Sequence, residues 1–300
     1  MKTLIYRLIY NGKINFLLRN LTLPLARLTH RKLPLSVSGK LHLRYGSSKF
    51  CLHTNQTCSV SQQIFYDGLM QYEFTRLFIH LIIQSEAFFD VGANIGYFTV
   101  LGEKVNPALK TYSFEPSKGP LHYLQRNAEA NNLKNAVIIP KALSDTIGKL
   151  TFHDVYNPKY PWVKHHLNGS GSLQNSYGAS KMNSYQVEVS TLEAVVKEFD
   201  INQIDVIKLD TECTEHTILR SGLEVISWFR PIIISEVYPV IETQVQDVID
   251  RLENYHIFHH KNDLLHQISS LHEVTSDENR NFVFCPKEKT GKIRLFIPKM

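Results

Sequence analysis

Asp90-Val91-Gly92-Ala93-Asn94-Ile95-Gly96 is the stretch that decides the fold of this chain, because of what precedes and follows it. The apolar run Ala87-Phe88-Phe89 before it predicts a buried strand that ends at Asp90 and turns at once through two glycines. A helical pattern comes next, and a second predicted strand, 111–114, ends at Glu115. Strand, tight turn, helix, strand and acid is the order of the nucleotide-binding half of a Rossmann-type fold, in which the second acid takes two ribose hydroxyls.

The spacing of the two glycines distinguishes between ligands. A dinucleotide site has the pattern G-x-G-x-x-G, which lets a pyrophosphate sit on the helix N-terminus. This chain has G-x-x-x-G from Gly92 to Gly96, and Asp90 two places earlier suits a cation better than a phosphate. S-adenosylmethionine carries an ammonium and a sulfonium and no phosphate, so these residues favour a methyl donor over a nicotinamide cofactor. A strand-glycine-helix turn with a purely structural role is the alternative.

Four predicted strands end in acidic residues. Ligands of open α/β sheets bind at the carboxyl ends of the strands, so we expect Asp90, Glu115, Asp210 and Glu236 on one rim. Asp90 is expected near the amino-acid part of the cofactor, Glu115 at the ribose, and residues 143–145 near the adenine. The predicted cofactor-binding residues are Asp90, Gly92, Ala93, Asn94, Gly96, Glu115, Pro116, Leu143, Ser144 and Asp145.

The segment Ile207 to Glu215 is unusually charged for the end of a buried strand. Burying Lys208 without a partner would be costly, so we expect it to pair with an acid. Methyl transfer to a hydroxyl needs the acceptor oxygen in line with the methyl group, and a base or a metal as the proton leaves. We predict no metal, although carboxylates grouped on a rim can hold Mg²⁺. The predicted catalytic residues are Lys208, Asp210, Glu212 and Glu236, with His153 and His216 as weaker candidates for the base.

Strand and helix patterns alternate along the core of the chain, which predicts a parallel sheet with helices on both faces. Strands are expected at 87–92, 111–115, 136–143, 204–210 and 231–237, and helices at about 95–105, 118–131, 191–199, 215–227 and 241–254. Segments 255–260 and 281–285 are expected to form an antiparallel hairpin at one edge. A loop at about 154–185, rich in aromatic, His, Gly and Ser residues, interrupts the alternation and suits a sugar.

The charge of the chain is unevenly distributed. Residues 1–66 contain ten Lys or Arg and no Asp or Glu, whereas residues 67–286 contain 18 basic and 27 acidic residues, a net charge of −9. We therefore expect a basic N-terminal extension over 1–80, with short strands and one helix, before a catalytic domain over 81–300. Such an extension is suited to weak contact with an anionic membrane surface or simply complements the acidic body. We expect a cytoplasmic protein with reduced cysteines, no transmembrane helix and no signal peptide.

The residues match a known family when they are taken together. The stretch 90–96, Phe114-Glu115-Pro116, Asn127 with Asn131-Asn132, Ala142 to Asp145, Thr191-Leu192 and Ile207 to Glu215 resemble the FkbM-type S-adenosylmethionine-dependent methyltransferases. The resemblance covers roughly residues 85–240. It implies a Rossmann-like class I methyltransferase fold with a mainly parallel seven-stranded sheet and a C-terminal antiparallel hairpin. It also implies O-methylation of a hydroxyl on a sugar, a glycan or a natural product.

One position departs from the family pattern. Cys213 stands where the family usually has glycine, and glycine there indicates a tight turn or a positive φ, which cysteine tolerates poorly. A non-catalytic member that binds cofactor or glycan within a partner complex is therefore the alternative hypothesis. A nucleic-acid methyltransferase is disfavoured, because the chain lacks the Asn/Asp-Pro-Pro-aromatic motif of amino-directed enzymes and its rim is acidic.

Overall fold

The computed structural model describes residues 2–29, 35–174, 182–275 and 278–298. The α-helices are α1 (Lys2–Ile9), α2 (Gly12–Thr29), α3 (Ser59–Asp67), α4 (Thr75–Ile82), α5 (Tyr97–Val105), α6 (Lys118–Ala130), α7 (Leu192–Glu198), α8 (Glu215–Ser221), α9 (Leu223–Phe229) and α10 (Glu242–Ile249). The strands are β1 (Gly39–Tyr45), β2 (Ser48–Thr54), β3 (Ala87–Val91), β4 (Lys110–Phe114), β5 (Ala136–Ile139), β6 (Ala142–Leu143), β7 (Gly148–Val155), β8 (Met182–Ser190), β9 (Val206–Leu209), β10 (Ile232–Glu236), β11 (Tyr255–Lys261), β12 (Leu264–Ile268) and β13 (Asn281–Pro286). Short 3₁₀ helices lie at 69–71, 239–241, 271–273 and 287–296.

The main sheet has the predicted α/β architecture. Its strand order is β12-β11-β13-β10-β9-β3-β4-β5. The five strands from β10 to β5 are mutually parallel, and β13 runs antiparallel between β10 and β11. Buried side chains pack on both faces of this sheet in two large apolar clusters. The class I methyltransferase fold is thereby confirmed.

The antiparallel edge differs in detail from the expectation. Segments 255–261 and 281–286 do pair, but the tight hairpin joins β11 to β12, which adds an eighth strand to the predicted seven in the described part of the chain. Asn262 and Asp263 make this turn with φ values of 54° and 60°. Asn and Asp are the residues that tolerate this left-handed conformation, which explains why the turn forms here.

Three other predicted elements are divided or extended. The single strand expected at 136–143 breaks at Pro140 into β5 and β6, and the helix expected at 215–227 breaks at Gly222 into α8 and α9. Residues 148–155 and 182–190, assigned in part to the long loop, are β7 and β8, which pair in a three-stranded sheet with β6. The loop therefore begins at residue 156; its expected part at 175–181 lies outside the described residues.

The N-terminal segment is more helical than expected, with α1, α2 and α3 in addition to the predicted β1–β2 hairpin. The hairpin packs on α6, where the side chains of Asn127 and Asn131 each bond the backbone of β2. Leu41 and Leu52 of the hairpin belong to the same apolar cluster as Phe88 of β3. Over the residues described, every helix is too short or too polar to cross a membrane.

Candidate active site

A cavity of about 230 Å³ opens at the carboxyl ends of the parallel strands. It is bounded by the turns after β3, β4, β9 and β10, by the long loop and by the N-terminal segment. The lining residues that were predicted as cofactor-binding or catalytic are Gly92, Asn94, Glu115, Pro116, Leu143, Asp210, Glu212 and Glu236. The additional lining residues include Ser59, Val60, Tyr72, Glu73, Ser117, Lys141, Phe152, Asp154, Asn168, Ser170 and Thr211.

The turn after β3 lies directly against the turn after β9. Gly92 has a φ of +76°, and a Cβ at this position would lie 1.9 Å from the carbonyl oxygen of Asp210. No side chain fits in that space, so glycine is what allows the two turns to form one wall of the cavity. The helix that follows, α5, begins after Gly96, which has a φ of +81° and packs on Leu124 of α6.

Glu115 lies at the end of β4 with both carboxylate oxygens engaged. Oε2 accepts a hydrogen bond of 2.8 Å from the backbone N–H of Asn94, and Oε1 accepts one of 2.8 Å from that of Ser117. The side chain is 6% exposed and lines the cavity. Burial raises the pKa of Glu115 to about 8, although the two backbone hydrogen bonds oppose the rise. Each oxygen keeps a lone pair for a further donor.

Asp90 lies beneath the turn and not on the cavity wall. It is 1% exposed, and its Oδ2 accepts a 2.7 Å hydrogen bond from the hydroxyl of Thr99. Its Oδ1 has no hydrogen-bond partner among the described residues. Burial raises the pKa of Asp90, whereas the ammonium of Lys208 lowers it.

The remaining predicted cofactor residues lie behind or beside the wall. Ala93 is buried within the turn. Ser144 is buried and accepts a 3.1 Å hydrogen bond from Ser221 on its carbonyl oxygen, and Asp145 is exposed and lies 3.7 Å from Arg220. Of residues 143–145, which were predicted to lie near the adenine, only Leu143 lines the cavity.

Lys208 pairs with an acid, as expected. Its Nζ donates a 2.9 Å hydrogen bond to Oδ2 of Asp210, and the lysine is buried while Asp210 faces the cavity. Burial would lower the pKa of Lys208, but the surrounding carboxylates, Asp210 foremost, raise it above its ordinary value. The lysine is therefore a fixed positive charge under an acidic wall.

Two further carboxylates face this ion pair from different elements. Glu236 ends β10 and lines the cavity, and burial followed by repulsion from Asp210 raises its pKa to about 8. Glu73, between the 3₁₀ turn at 69–71 and α4, lines the same cavity. Burial, followed by repulsion from Asp210, raises the pKa of Glu73 to about 7, and Lys208 opposes the rise.

Glu73 was absent from the sequence prediction. It belongs to the N-terminal segment, and no strand precedes it to indicate that it reaches the rim. One signal is visible only in the structure, namely a φ of +37°, which a non-glycine residue seldom adopts. Strained backbone of this kind is concentrated at functional sites.

The turn at Cys213 keeps the conformation that the family glycine implied. Glu212 and Cys213 have φ values of 57° and 80°, and the Cys213 side chain is buried in an apolar cluster. Glu215 supports the turn by accepting hydrogen bonds of 2.7 and 2.9 Å from the backbone and hydroxyl of Thr211. The cysteine therefore occupies a left-handed position without displacing the predicted acidic residues.

The long loop is fixed on the rest of the protein on both sides of the cavity. Leu167 is fully buried and its N–H donates to Thr57, while the carbonyl of His165 accepts a 2.7 Å hydrogen bond from Asn55. The hydroxyl of Ser172 donates a 2.6 Å hydrogen bond to the carbonyl of Glu212. The loop thus links the N-terminal segment to the acidic wall.

The two weaker candidates for the base lie away from the cavity lining. His153 bonds Ser184 on the exposed side of β7, and His216 is half-buried on α8 beside Thr217. Among the residues that the structure describes, no group of three or more His, Cys, Asp or Glu side chains is arranged to hold a metal ion.

The chain is similar in sequence to known methyltransferases. The family model described as the methyltransferase FkbM domain matches residues 90–266. A curated relative, 31-O-demethyl-FK506 methyltransferase FkbM of Streptomyces tacrolimicus, is 28% identical over 49% of this chain and 62% of its own length. Methyltransferase 1 of Beauveria bassiana is 26% identical over 46% of this chain and 59% of its own length. The matches thus span less than two thirds of these relatives.

Solved structures also match part of the chain. Methyltransferase FkbM from Methylobacillus flagellatus aligns with 67% of this chain and 43% of its own, at 16% identity and a TM-score of 0.43. The family match spans more than half of the chain, so the protein belongs to the FkbM methyltransferase family. Membership of this family indicates S-adenosylmethionine as the cofactor.

Proposed function

We propose that the protein is an S-adenosylmethionine-dependent O-methyltransferase that methylates a hydroxyl of a sugar or glycan. The observation that carries the proposal is the shared cavity, in which the carboxylates of Glu73, Asp210 and Glu236 face the glycine turn and Glu115. A hydroxyl needs a proton acceptor as it attacks a methyl group, and these carboxylates stand beside the place predicted for the cofactor.

The wall formed by the β3 and β4 turns fits the cofactor. Asn94 lines the cavity and has a buried Oδ1 without a partner among the described residues, and Glu115 has lone pairs left on both oxygens. We assign Glu115 to the two ribose hydroxyls, Gly92 and Asn94 to the amino-acid part, and Leu143 to the adenine side. Asp90 acts from beneath as a buried negative charge. When bound, S-adenosylmethionine supplies an electrophilic methyl group.

Glu236 is proposed as the proton acceptor. Its pKa of about 8 lies near the operating range of a general base, and a nearby cationic ligand would lower that pKa and favour the ionised form. Lys208 holds Asp210 through their 2.9 Å contact, which leaves Asp210 to orient the acceptor hydroxyl. The Glu236 carboxylate would take the O–H proton of the acceptor hydroxyl. S-adenosylmethionine, held by Gly92, Asn94 and Glu115, would supply the methyl group by loss of its S–CH₃ bond and leave as S-adenosylhomocysteine.

The acceptor class rests on the polar and aromatic surface that β7 and the long loop form together. Asp154, Asn168 and Ser170 line the cavity beside Phe152, which offers hydrogen-bonding groups and an apolar face together. Sugar rings present hydroxyls and apolar C–H faces in that combination. The name of the Streptomyces relative, 31-O-demethyl-FK506 methyltransferase, describes methylation of an oxygen in that relative's substrate, which supports an oxygen acceptor here.

The first test separates cofactor binding from transfer. Titration calorimetry of S-adenosylhomocysteine into wild-type protein and Glu115→Ala is expected to show binding that the variant loses. Labelled S-adenosylmethionine is then offered with free, nucleotide-linked and lipid-linked sugars. Glu236→Gln should bind the cofactor product normally and lose transfer by about 10²–10⁴-fold. Absence of S-adenosylhomocysteine binding by wild-type protein would refute the proposal.

A further inference from the structure

Helix α2 has its polarity reversed relative to an ordinary surface helix. Its inward face carries Asn15 and Arg19, which are 0% and 2% exposed and donate hydrogen bonds of 3.0 and 3.1 Å to the carbonyls of Ser36 and Ser38. Its outward face carries leucines 62%, 71% and 79% exposed; these are Leu17, Leu21 and Leu28, named here the leucine face. Surface helices normally bury their apolar stripe, so this face is built for contact with something apolar.

Helix α1 adds to the exposed apolar surface of the N-terminal segment. Leu4 and Leu8, one turn apart, are 73% and 62% exposed. The opposite contacts of α1 are made with the long loop, where the ring of Tyr6 lies 6.1 Å edge-on from that of Tyr160. The helix is therefore held in place while its leucines point away from the protein.

A basic groove adjoins the leucine face. This open cleft of about 1020 Å³ lies between α2, the β1–β2 hairpin and α6. Leu17 and Phe16 lie on one side, the cationic lining residues are Lys13, Lys40 and Arg126, and the rings of His42 and His53 also line the groove. No Asp or Glu occurs among its described lining residues. Burial and then the positive charges of Arg126 and Lys40 lower the pKa of His53 to about 4.

We propose that the leucine face and the basic groove together dock the protein on an anionic phospholipid membrane. The leucines enter the boundary between headgroups and acyl chains, and the groove receives lipid phosphates, which is the arrangement of interfacial helices. The charge pattern selects this occupant, because residues 1–66 carry ten basic and no acidic residues. A second copy of the chain would bring two basic segments together. This inference goes beyond the proposed function.

Vesicle sedimentation tests the docking surface without cofactor or acceptor. The full chain is spun with vesicles of phosphatidylcholine alone, or of phosphatidylcholine with phosphatidylglycerol. We expect at least about tenfold stronger binding to the anionic vesicles, lost in about 1 M NaCl. The double variant Leu17→Gln/Leu21→Gln should reduce binding about tenfold or more, since interfacial affinity scales with buried apolar area. Lys13→Gln/Arg126→Gln should abolish the preference for anionic vesicles.

Leu295→Gln is the matched control, because Leu295 is 79% exposed on the C-terminal 3₁₀ segment and should leave binding unchanged. Thermal unfolding of each variant confirms that it is folded. Absence of wild-type binding to anionic vesicles would overturn the proposal. Dimerisation that the leucine double variant abolishes, without vesicle binding, would overturn it in favour of a self-association surface. Binding of S-adenosylhomocysteine, measured separately, reports on the proposed function alone.

Discussion

At the scale of a single residue, we expect Glu115 to make cofactor binding depend on pH. Its pKa of about 8 in the folded protein lies above the ordinary value, so the side chain is largely protonated at neutral pH. Ribose hydroxyls donate to the ionised form, and binding must therefore release a proton below pH 8. Affinity for S-adenosylhomocysteine should rise by up to about tenfold per pH unit until it levels off near that pKa.

The measurement is calorimetry at several pH values in buffers with different ionisation heats, which counts the protons released. Glu115→Gln should bind more weakly and lose this release. Because titration of the ligand itself is common to both proteins, only the difference between them reports on Glu115. Equal proton release by the two proteins would contradict the assignment.

Substitution of Cys213 tests whether a cysteine in place of the family glycine lowers the free energy of unfolding. Its φ of 80° is strained for any residue with a Cβ, at about 1–2 kcal/mol, yet its thiol is buried among apolar side chains. Cys213→Ala loses the thiol and keeps the strain, whereas Cys213→Gly loses both. We expect the glycine variant to exceed the alanine variant in free energy of unfolding by about 1 kcal/mol.

Chemical denaturation of the two variants checks this difference, and methyl transfer by each tests its consequence. Turnover equal to wild type in Cys213→Gly would remove the main support for the non-catalytic alternative. Transfer that appears only in the glycine variant would favour that alternative. An alanine variant at least as stable as the glycine variant would show that the turn is relaxed.

At the scale of elements, the close contact between the turns after β3 and β9 depends on Gly92. A methyl group there would overlap the carbonyl of Asp210, so Gly92→Ala must push the two turns apart. We expect a loss of roughly 3 kcal/mol or more in stability, together with loss of S-adenosylhomocysteine binding. Gly291→Ala is the control, since a Cβ there has no neighbour within 4 Å among the described residues. Equal melting temperatures and equal affinities for the two variants would contradict the close contact between the turns after β3 and β9.

The parallel strands were predictable because four of the five, β3, β4, β9 and β10, end at an acid or a glycine turn, and most are short apolar runs. Residues 87–91 and 206–209 illustrate this, since both are fully buried and both pair as expected. Strand β8 was missed although its C-terminal half shows the alternation of a half-buried strand, with Val187 and Val189 buried and Gln186 and Glu188 exposed. Its N-terminal half, 182–184, has no such pattern, and its partner β7 lies on the other side of the long loop.

The same limit explains the site residues that sequence analysis missed. Glu115, Asp210 and Glu236 follow strands, and the rule for strand ends brings them together. Glu73 and Ser59 reach the cavity only because the N-terminal segment folds back over the sheet. Asp90 also follows the strand-end rule, but in the structure it is 1% exposed, accepts a hydrogen bond from Thr99 and is not among the cavity-lining residues, so its role toward the cofactor stays a prediction.

At the scale of the whole molecule, the N-terminal segment and the sheet enclose one cavity. They are held together by Asn127 of α6 and by Asn131, which follows the end of that helix. The side chain of Asn127 accepts a hydrogen bond from the N–H of His53 and donates one of 2.8 Å to the carbonyl of Ile95. These two bonds join β2 to the turn after β3. The segment is thus attached to the same turn that carries the predicted cofactor residues. Displacement of the hairpin should therefore affect stability and site together.

Asn131 is the position at which this attachment can be measured. Its Oδ1 accepts a hydrogen bond of 2.9 Å from the N–H of Cys51, and its Nδ2 donates one of 2.7 Å to the carbonyl of the same residue. Asn131→Ala leaves two buried backbone groups unpaired, which should lower the free energy of unfolding by about 2–3 kcal/mol. Hydrogen exchange should show early loss of protection at Cys51, ahead of β3.

The neighbouring Asn132 provides the control, because it is exposed and its φ of 51° is tolerated by aspartate. Asn132→Asp should change the free energy of unfolding by less than about 0.5 kcal/mol. If Asn131→Ala destabilised no more than this control, the hairpin would be held by its apolar contacts alone. If β2 and β3 lost protection together, the N-terminal segment and the sheet would unfold as one cooperative unit, and the cavity between them could not open by release of the hairpin.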